Sequence, residues 1–363
     1  MKLPTRVLVV TPPMSNRGGV AHYYRALREH LGPEIEYFTR GGGGDGTSVS
    51  GVFRLWNDVR RFERELRNGD PGIVLLNPSF GYKSLLRDRY FLLRAKRAKK
   101  PVIVFFRGWN SKCERFVRRY LLSWFRSTFF QANLVIVLSS AFERSLREMG
   151  FEGPVIVETT VVPDSVFDSV QARAKEPTSS GERHACNVLF LSRIERDKGV
   201  YHVIETHRIL LKQHPRVTLT IAGTGSELAR AKQFARRERI PGVRFLGYVE
   251  DQAKEAAYRD ADIFYFPSFY GEGMPNAVLE AMAYGVPVVT RPVGGLGDFF
   301  ENEKMGFVSD SRDPAEFAEL IGALVVDERR RREMGGFNRS YAERRFKASG
   351  VAKRLYDIYD RLV

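Results

Sequence analysis

At 363 residues the chain exceeds what one hydrophobic core usually organises, which predicts two domains of ordinary size. Apolar residues make up 43% of it, ordinary for a globular protein, and no apolar run approaches the length of a membrane-spanning helix. The 58 basic residues outnumber the 43 acidic ones for a net charge of +15, which suits nucleic acid, an anionic membrane surface or phosphorylated substrates and says little about fold.

Met1 to Arg6 lead directly into a strand at Val7–Thr11, too short and too early for a secretory signal, so a cytoplasmic station is expected. Cys113 and Cys186 are too few and too far apart for a disulfide framework or a metal knuckle. The loop from Pro12 to Gly19 ends in the pair Gly18-Gly19 before an amphipathic helix from Val20 to Leu31; a glycine pair at a strand-to-helix turn lets the backbone approach a ligand. The stretch Arg40 to Gly51, with the glycine-rich loop 41–46, forms no packed element. Beyond it helices at 52–67, 83–99, 112–130 and 141–149 alternate with strands at 73–76, 102–106, 134–138 and 155–158, the pattern of a parallel sheet covered on both faces.

Periodicity fails between Pro163 and Glu182, and 166–184 is taken as the interdomain linker. Alternation restarts with strands at 187–191, 217–221 and 243–246, followed by the loops Ser192 to Gly199, Gly223-Thr-Gly225 and Gly247-Tyr-Val249. These loops fall at strand carboxyl ends, where open α/β sheets bind ligands, which makes Gly223 and Gly225 candidate donor contacts. Asp260 and Asp262 have metal-pair spacing, but they directly precede the buried strand 263–266 and suit a helix-to-strand turn. Arg329 to Arg332 lie among Asp327, Glu328 and Glu333, a solvated face with no nucleic-acid motif beside it.

The densest signal is Pro267 to Val289: a strand, a tight loop over 270–274, a helix from Pro275 at its first position to Tyr284, and a further strand from Val286. The first-turn amides form an anion site suited to phosphate. Glu280, set among Val278, Leu279, Ala281 and Met282, needs dedicated donors such as a vicinal diol, an Arg or a Lys. A structural ion pair at Glu280 and a solvated Glu272 are the plainer alternative.

The run Glu272-Gly-Met-Pro-Asn-Ala-Val-Leu-Glu280, continued to Val289, closely resembles the signature of the retaining GT-B glycosyltransferases of family 4. The resemblance implies a GT-B α/β fold, two Rossmann-like domains facing each other across a cleft: residues 1–165 for the acceptor, 185–340 for the nucleotide sugar, and a C-terminal helix over 341–363 crossing back. It also implies that Glu272 contacts the donor sugar and Glu280 the ribose, and that the amides around Gly273, Met274, Pro275 and Asn276 face the diphosphate. Arg193 and Lys198 resemble the paired cations that grip that diphosphate, and Gly18 and Gly19 match the family's first loop, on the opposite side of the cleft, which makes them candidate donor contacts. Where the family tends to carry a His, this chain has Arg107, which either reaches the sugar or an acidic acceptor or is structural.

The implied activity is retaining transfer from a nucleotide sugar to a glycan or lipid-linked acceptor, without a metal or other cofactor, in bacterial-type polysaccharide or glycoconjugate synthesis. The alternatives are a non-catalytic nucleotide-sugar-binding partner subunit and a sugar-nucleotide epimerase. Between Lys83 and Arg126, fourteen basic residues face only Asp88 and Glu114. A wheel of 112–130 predicts a core stripe of Phe116, Val117, Tyr120 and Trp124, with Leu122 and Phe129 outward among Arg115, Arg118, Arg119 and Arg126. Such a face predicts peripheral docking on an anionic membrane surface.

Overall fold

A computed structural model describes residues 3–41, 48–173 and 186–362. The glycine-rich loop 41–46, apart from Gly41, and most of the expected linker 166–184 lie outside the described residues. The chain divides into two compact units, one of Met1–Val161, Gly271–Met274 and Ala348–Val363, the other of Val162–Tyr270 and Pro275–Lys347.

In the first unit the strands are β1 (Val7–Thr11), β2 (Ile35–Thr39), β3 (Ile73–Leu76), β4 (Val102–Phe105), β5 (Leu134–Val137) and β6 (Val155–Val157). They form one sheet ordered β2-β1-β3-β4-β5-β6, and every pair is parallel. β3, β4 and β5 are buried along their whole length, which is why they read as unbroken apolar runs. β2 escaped the sequence reading because it is an edge strand of mixed polarity, with Glu36 paired to Arg6. The helices of this unit are α1 (Gly19–Leu27), α2 (Ser48–Asn68), α3 (Tyr82–Arg97), α4 (Ser111–Tyr120), α5 (Leu122–Phe129) and α6 (Ser140–Glu148).

The second unit holds α7 (Asp164–Arg173), β7 (Asn187–Leu191), α8 (Val200–Leu210), β8 (Thr218–Ala222), α9 (Leu228–Arg237), β9 (Val243–Gly247) and α10 (Asp251–Arg259). It continues through β10 (Ile263–Phe266), α11 (Asn276–Ala283), β11 (Val288–Thr290), β12 (Gly306–Val308), α12 (Pro314–Val326) and α13 (Glu328–Phe346). Its parallel sheet is ordered β12-β11-β10-β7-β8-β9, the doubly wound order with its reversal between β7 and β10. α7 occupies the start of the stretch expected to be a linker.

The last helix, α14 (Ala348–Asp360), packs Val351, Leu355, Tyr356 and Tyr359 into the core of the first unit. Arg354 binds both oxygens of the buried Glu158 at 2.7 and 3.1 Å, and the Tyr356 hydroxyl donates to Glu34 and accepts from the Gly32 amide. Instead of one helix from 341, α13 ends at Phe346, and Lys347, extended and bridged to Val162, separates it from α14.

The expected helix over 112–130 is also two helices. Leu121 leaves helical geometry at φ −127°, ψ 19°, and this break resets the phase of the wheel. α4 therefore buries Cys113 and Val117, α5 buries Phe125 and Phe129, and Leu122 packs against the core. Phe116 and Tyr120, expected inside, are exposed. Arg118 is bound to Glu114, Ser145 and Glu148, and the Arg126 Nε donates to the Met149 carbonyl. The outward sector read from the wheel is thus wrong for Leu122 and Phe129.

Candidate active site

In an open parallel sheet the two loops that leave neighbouring strands in opposite directions part at the reversal of strand order, and a ligand fits between them. In the second unit that reversal lies between β7 and β10. The β7 loop carries Arg193 and a short 3-10 turn over Arg196–Lys198, and the β10 loop runs through Pro267 to Tyr270. The loops are fastened together: the Phe269 amide donates to the Asp197 carbonyl at 2.8 Å, and Gly199 packs on the Pro267 carbonyl.

Both predicted cations gather on one side chain that the sequence reading passed over. Lys198 Nζ lies 4.3 Å from the centre of the Tyr270 ring and the Arg193 guanidinium carbon 5.5 Å from it. Lys198 is buried, whereas Arg193 is exposed and pairs with Glu195 at 2.8 Å. The only hint of Tyr270 in the sequence was its place as an aromatic residue just past a buried strand, beside the Glu272 motif.

Gly223 and Gly225 meet this site from the β8 loop. Gly223 has φ +134°, and a Cβ there would fall 1.8 Å from the Ser192 carbonyl oxygen; at Gly225 it would fall 2.3 Å from that of Ile194. With the Ile194 amide donating to Thr224 at 2.9 Å, these glycines set the β8 loop directly on the loop that carries Arg193. Their visible role is this backbone contact.

α11 begins at Asn276, and Pro275 is its N-cap at φ −77°, ψ 99°, one position earlier than predicted. The ψ value explains the shift, since it lies outside the helical region. The Val278 amide reaches back to the Pro275 carbonyl, while the amides of Asn276 and Ala277 precede the intrahelical ladder. Inside this helix Glu280 is buried, with Lys254 Nζ at 2.8 Å on one oxygen and the Tyr258 hydroxyl at 2.9 Å on the other. Burial, and then the facing carboxylate, hold the Tyr258 phenol well above its usual value, so it donates. Lys254 and Tyr258, one turn apart on α10, supply the donors that the setting of Glu280 demanded; periodicity on α10 alone did not single them out.

In the first unit the strand order turns between β1 and β3. Gly18 is the N-cap of α1 and Gly19 its first residue; a Cβ at Gly18 would touch nothing within 4 Å. The buried Asn77, after β3, ties the turn together through the Tyr24 hydroxyl at 3.0 Å and the Val10 carbonyl at 3.1 Å. Arg107, after β4, sits between two aromatic rings, its guanidinium carbon 3.7 Å from the centre of Tyr23 and 4.1 Å from that of Phe105, and its Nη1 is buried without a hydrogen-bond partner. Gly271–Met274 group with this unit, where a Cβ at Gly273 would come within 2.7 Å of the Arg107 carbonyl oxygen and Met274 packs on the core. Glu272 is half-buried within that segment.

Asp262 accepts the Asn187 amide at 2.8 Å, and the Asp260 carbonyl accepts from the Asn187 side chain, so this pair closes a turn. Among the described residues, no group of three or more His, Cys, Asp or Glu is arranged to hold a metal ion, and no helix is long and apolar enough to cross a membrane. Arg329 and Arg332 form i,i+4 pairs with Glu333 and Glu328 on α13.

Residues 175–340 match the family model described as glycosyl transferases group 1. Over 245 residues the chain is 33% identical to a D-inositol 3-phosphate glycosyltransferase of Corynebacterium jeikeium, covering 64% of this chain and 58% of that protein. Over 185 residues it is 34% identical to the enzyme of the same name from Corynebacterium kroppenstedtii, covering 49% and 41%. The chain thus spans about half the length of the curated relatives it matches. In fold it is similar to sucrose-phosphate synthase of Thermosynechococcus elongatus, with a TM-score of 0.78 and 18% identity over 98% of both chains. It is also similar to HepE of Anabaena, solved with UDP and glucose, with a TM-score of 0.72 and 16% identity over 98% and 99%. The chain has the GT-B fold, and its segment 175–340 is similar to the glycosyl transferases group 1.

Proposed function

We propose that the protein is a retaining glycosyltransferase of family 4 type, moving a sugar from a nucleotide-sugar donor to a glycan or lipid-linked acceptor in polysaccharide or glycoconjugate synthesis. The observation that carries this reading is the gathering of Arg193 and Lys198 on Tyr270 at the strand-order reversal of the group 1 segment. A departing nucleoside diphosphate develops charge, and cations fixed before the reaction stabilise it as it forms. A UDP-sugar is the first donor to try, since the similarly folded Anabaena protein was solved with UDP and glucose.

In the proposed reaction the bond between the anomeric carbon and the diphosphate oxygen breaks and the acceptor oxygen bonds on the same face. The acceptor's proton passes to the departing diphosphate. Arg193, Lys198 and the amides of the α11 start, with Gly273 to Asn276, hold the diphosphate; Glu272 positions the sugar. Glu280 anchors the ribose and is held in place by Lys254 and Tyr258. Gly18 and Gly19 are donor contacts from the first loop, and the unpartnered Nη1 of Arg107 supports a catalytic hydrogen-bonding role toward the sugar or an acidic acceptor. No metal is required, because the cations and helix amides do that work; turnover in EDTA tests it, and loss restored by magnesium or manganese refutes it.

The deciding experiment combines thermal-shift screening against UDP, GDP, ADP and their sugars with turnover assays. Glu280→Gln should weaken binding of the free nucleoside diphosphate, and Glu272→Gln should lower turnover with that binding intact. Stabilisation by none of these ligands refutes the donor assignment, and equal effects of the two substitutions on nucleotide binding refute the division of roles. A peripheral station on an anionic membrane surface belongs to the same proposal.

A further inference from the structure

Most large apolar side chains that the described residues leave exposed lie on three helices of the first unit. On α3 they are Tyr82, Leu86 and Tyr90, spaced four apart and therefore on one stripe. On α4 they are Phe116 and Tyr120, again four apart, with ring centres 5.1 Å from each other. The two stripes join where Tyr82 meets Phe116 edge-on at 5.5 Å.

A third strip lies on α2, whose Phe53 and Trp56 rings are 5.9 Å apart. α2 and α3 run alongside each other in steady register: Asp58 and Asp88 are both bound by the Arg40–Gly41 pair, Phe62 packs on Phe91 and Glu63 pairs with Arg94. That register brings Trp56 level with Leu86. All seven side chains are 41–67% exposed.

The charges around this patch are one-sided. The acidic groups of α3 and α4 are engaged internally: Asp88 is buried between Arg40 and Arg87, and Glu114 is held by the Trp109 indole, Arg118 and Ser145. Lys83, Lys112, Arg115 and Arg119 are exposed beside the aromatic stripes. The Arg60 guanidinium stacks on Trp56 at 3.3 Å. Tyrosine and tryptophan with basic side chains among them match the headgroup layer of an anionic bilayer, which receives rings and cations together.

We infer that Tyr82, Leu86, Tyr90, Phe116 and Tyr120, ringed by Lys83, Lys112, Arg115 and Arg119 and extended by Phe53 and Trp56, form the face with which the protein docks on a bilayer of anionic phospholipid. The face differs from the one the helical wheel suggested: it keeps Arg115 and Arg119 but presents Phe116 and Tyr120 in place of Leu122 and Phe129. It covers the amino-terminal half of α3 and the outer face of α4, helices that follow the carboxyl edges of β3 and β4, the edge where the first sheet would receive an acceptor. Docking here presents a lipid-linked acceptor to that edge. Docking requires no donor, so its failure and the failure of the glycosyl-transfer reading are separate results.

Co-sedimentation at low salt tests it, with vesicles of phosphatidylcholine alone and with a third phosphatidylglycerol. The protein should bind only the anionic vesicles. Lys83→Glu/Arg115→Glu/Arg119→Glu should lower partitioning at least about a hundredfold, at roughly fivefold per basic residue lost and with repulsion of the new carboxylates added. Tyr82→Ser/Leu86→Ser/Phe116→Ser/Tyr120→Ser should abolish the binding that survives high salt. These side chains are exposed, and an unchanged circular dichroism spectrum and melting temperature certify each variant. Brominated lipid should quench fluorescence in the wild type and not in Trp56→Phe. Indifference to anionic vesicles, wild-type binding by both patch variants, or a dimer in solution that the aromatic variant dissociates would each overturn the inference.

Discussion

The two units are built from sheets of equal strand number, yet their candidate ligand edges are made of different material. In the second unit the edge is backbone on backbone: the β7, β8 and β10 loops touch through glycines and carbonyls, and two cations meet on Tyr270. In the first unit it is side chain on side chain, with Arg107 against the rings of Tyr23 and Phe105 and an outer face of exposed aromatic and basic groups. Backbone contact demands particular residues at particular positions. Side-chain contact accepts many sequences.

The largest effect that should sharpen this contrast is on catalysis. Lys198→Ala is expected to lower turnover about 10²- to 10³-fold, the usual cost of one lost donor to a developing charge, with melting temperature nearly unchanged. Steady-state kinetics checks it, and near wild-type turnover in a folded variant would remove Lys198 from the diphosphate site.

On stability, Gly223→Ala should cost at least about 3 kcal/mol, because the added methyl meets the Ser192 carbonyl at 1.8 Å with the backbone at φ +134°. Gly18→Ala, with open space at the same atom, should change stability by less than about 0.5 kcal/mol. Urea unfolding of the pair breaks the comparison if the two costs are similar.

That difference also explains what could be read in the sequence. Gly223, Gly225, Lys198 and the run from Glu272 to Glu280 stand at fixed offsets from buried strands, so residue type and spacing carried the information. Fully buried β3, β4, β5 and β10 were equally plain. Illegible were β2, whose edge position dilutes its apolar pattern, and the break at Leu121, which no Gly or Pro marks. Once that break is missed, a single wheel is fitted to two helices of different phase, which turns Phe129, beyond the break, outward and draws Phe116 and Tyr120, before it, inward with Trp124. Lys254 and Tyr258 were invisible for another reason: their partner Glu280 lies more than twenty residues away.

In the first unit the counterpart of the Gly223 contact is an ion pair. Arg354→Met strands Glu158, which is 4% exposed, and should cost about 2–3 kcal/mol, less than the full range for a deeply buried pair because Arg354 itself is partly exposed. Glu158→Gln in the same background should recover part of the loss by removing the stranded charge. A double variant no more stable than Arg354→Met alone would mean that α14 is held by its apolar contacts rather than by this pair.

The smallest expected effect is a pH dependence lodged in the second unit. Burial holds the imidazoles of His202 and His207 below their usual value; His202 sits among Tyr265, Phe269 and Phe317 with Arg291 and Asp313 nearby, and His207 contacts the Pro241 carbonyl. A histidine lowered in the folded state binds fewer protons there than in the unfolded chain. Its contribution is therefore complete above pH ~6.5, the unfolded value, and is lost as pH falls from there through the folded value. Between pH 7.5 and 5.5 each should remove at most about 1 kcal/mol, visible as a lower urea midpoint in acid. In His202→Gln/His207→Gln that part of the slope should vanish, since glutamine keeps a donor for the Pro241 carbonyl without titrating. An undiminished slope in the double variant would place the acid sensitivity elsewhere, with the carboxylates of the ion pairs as its next source.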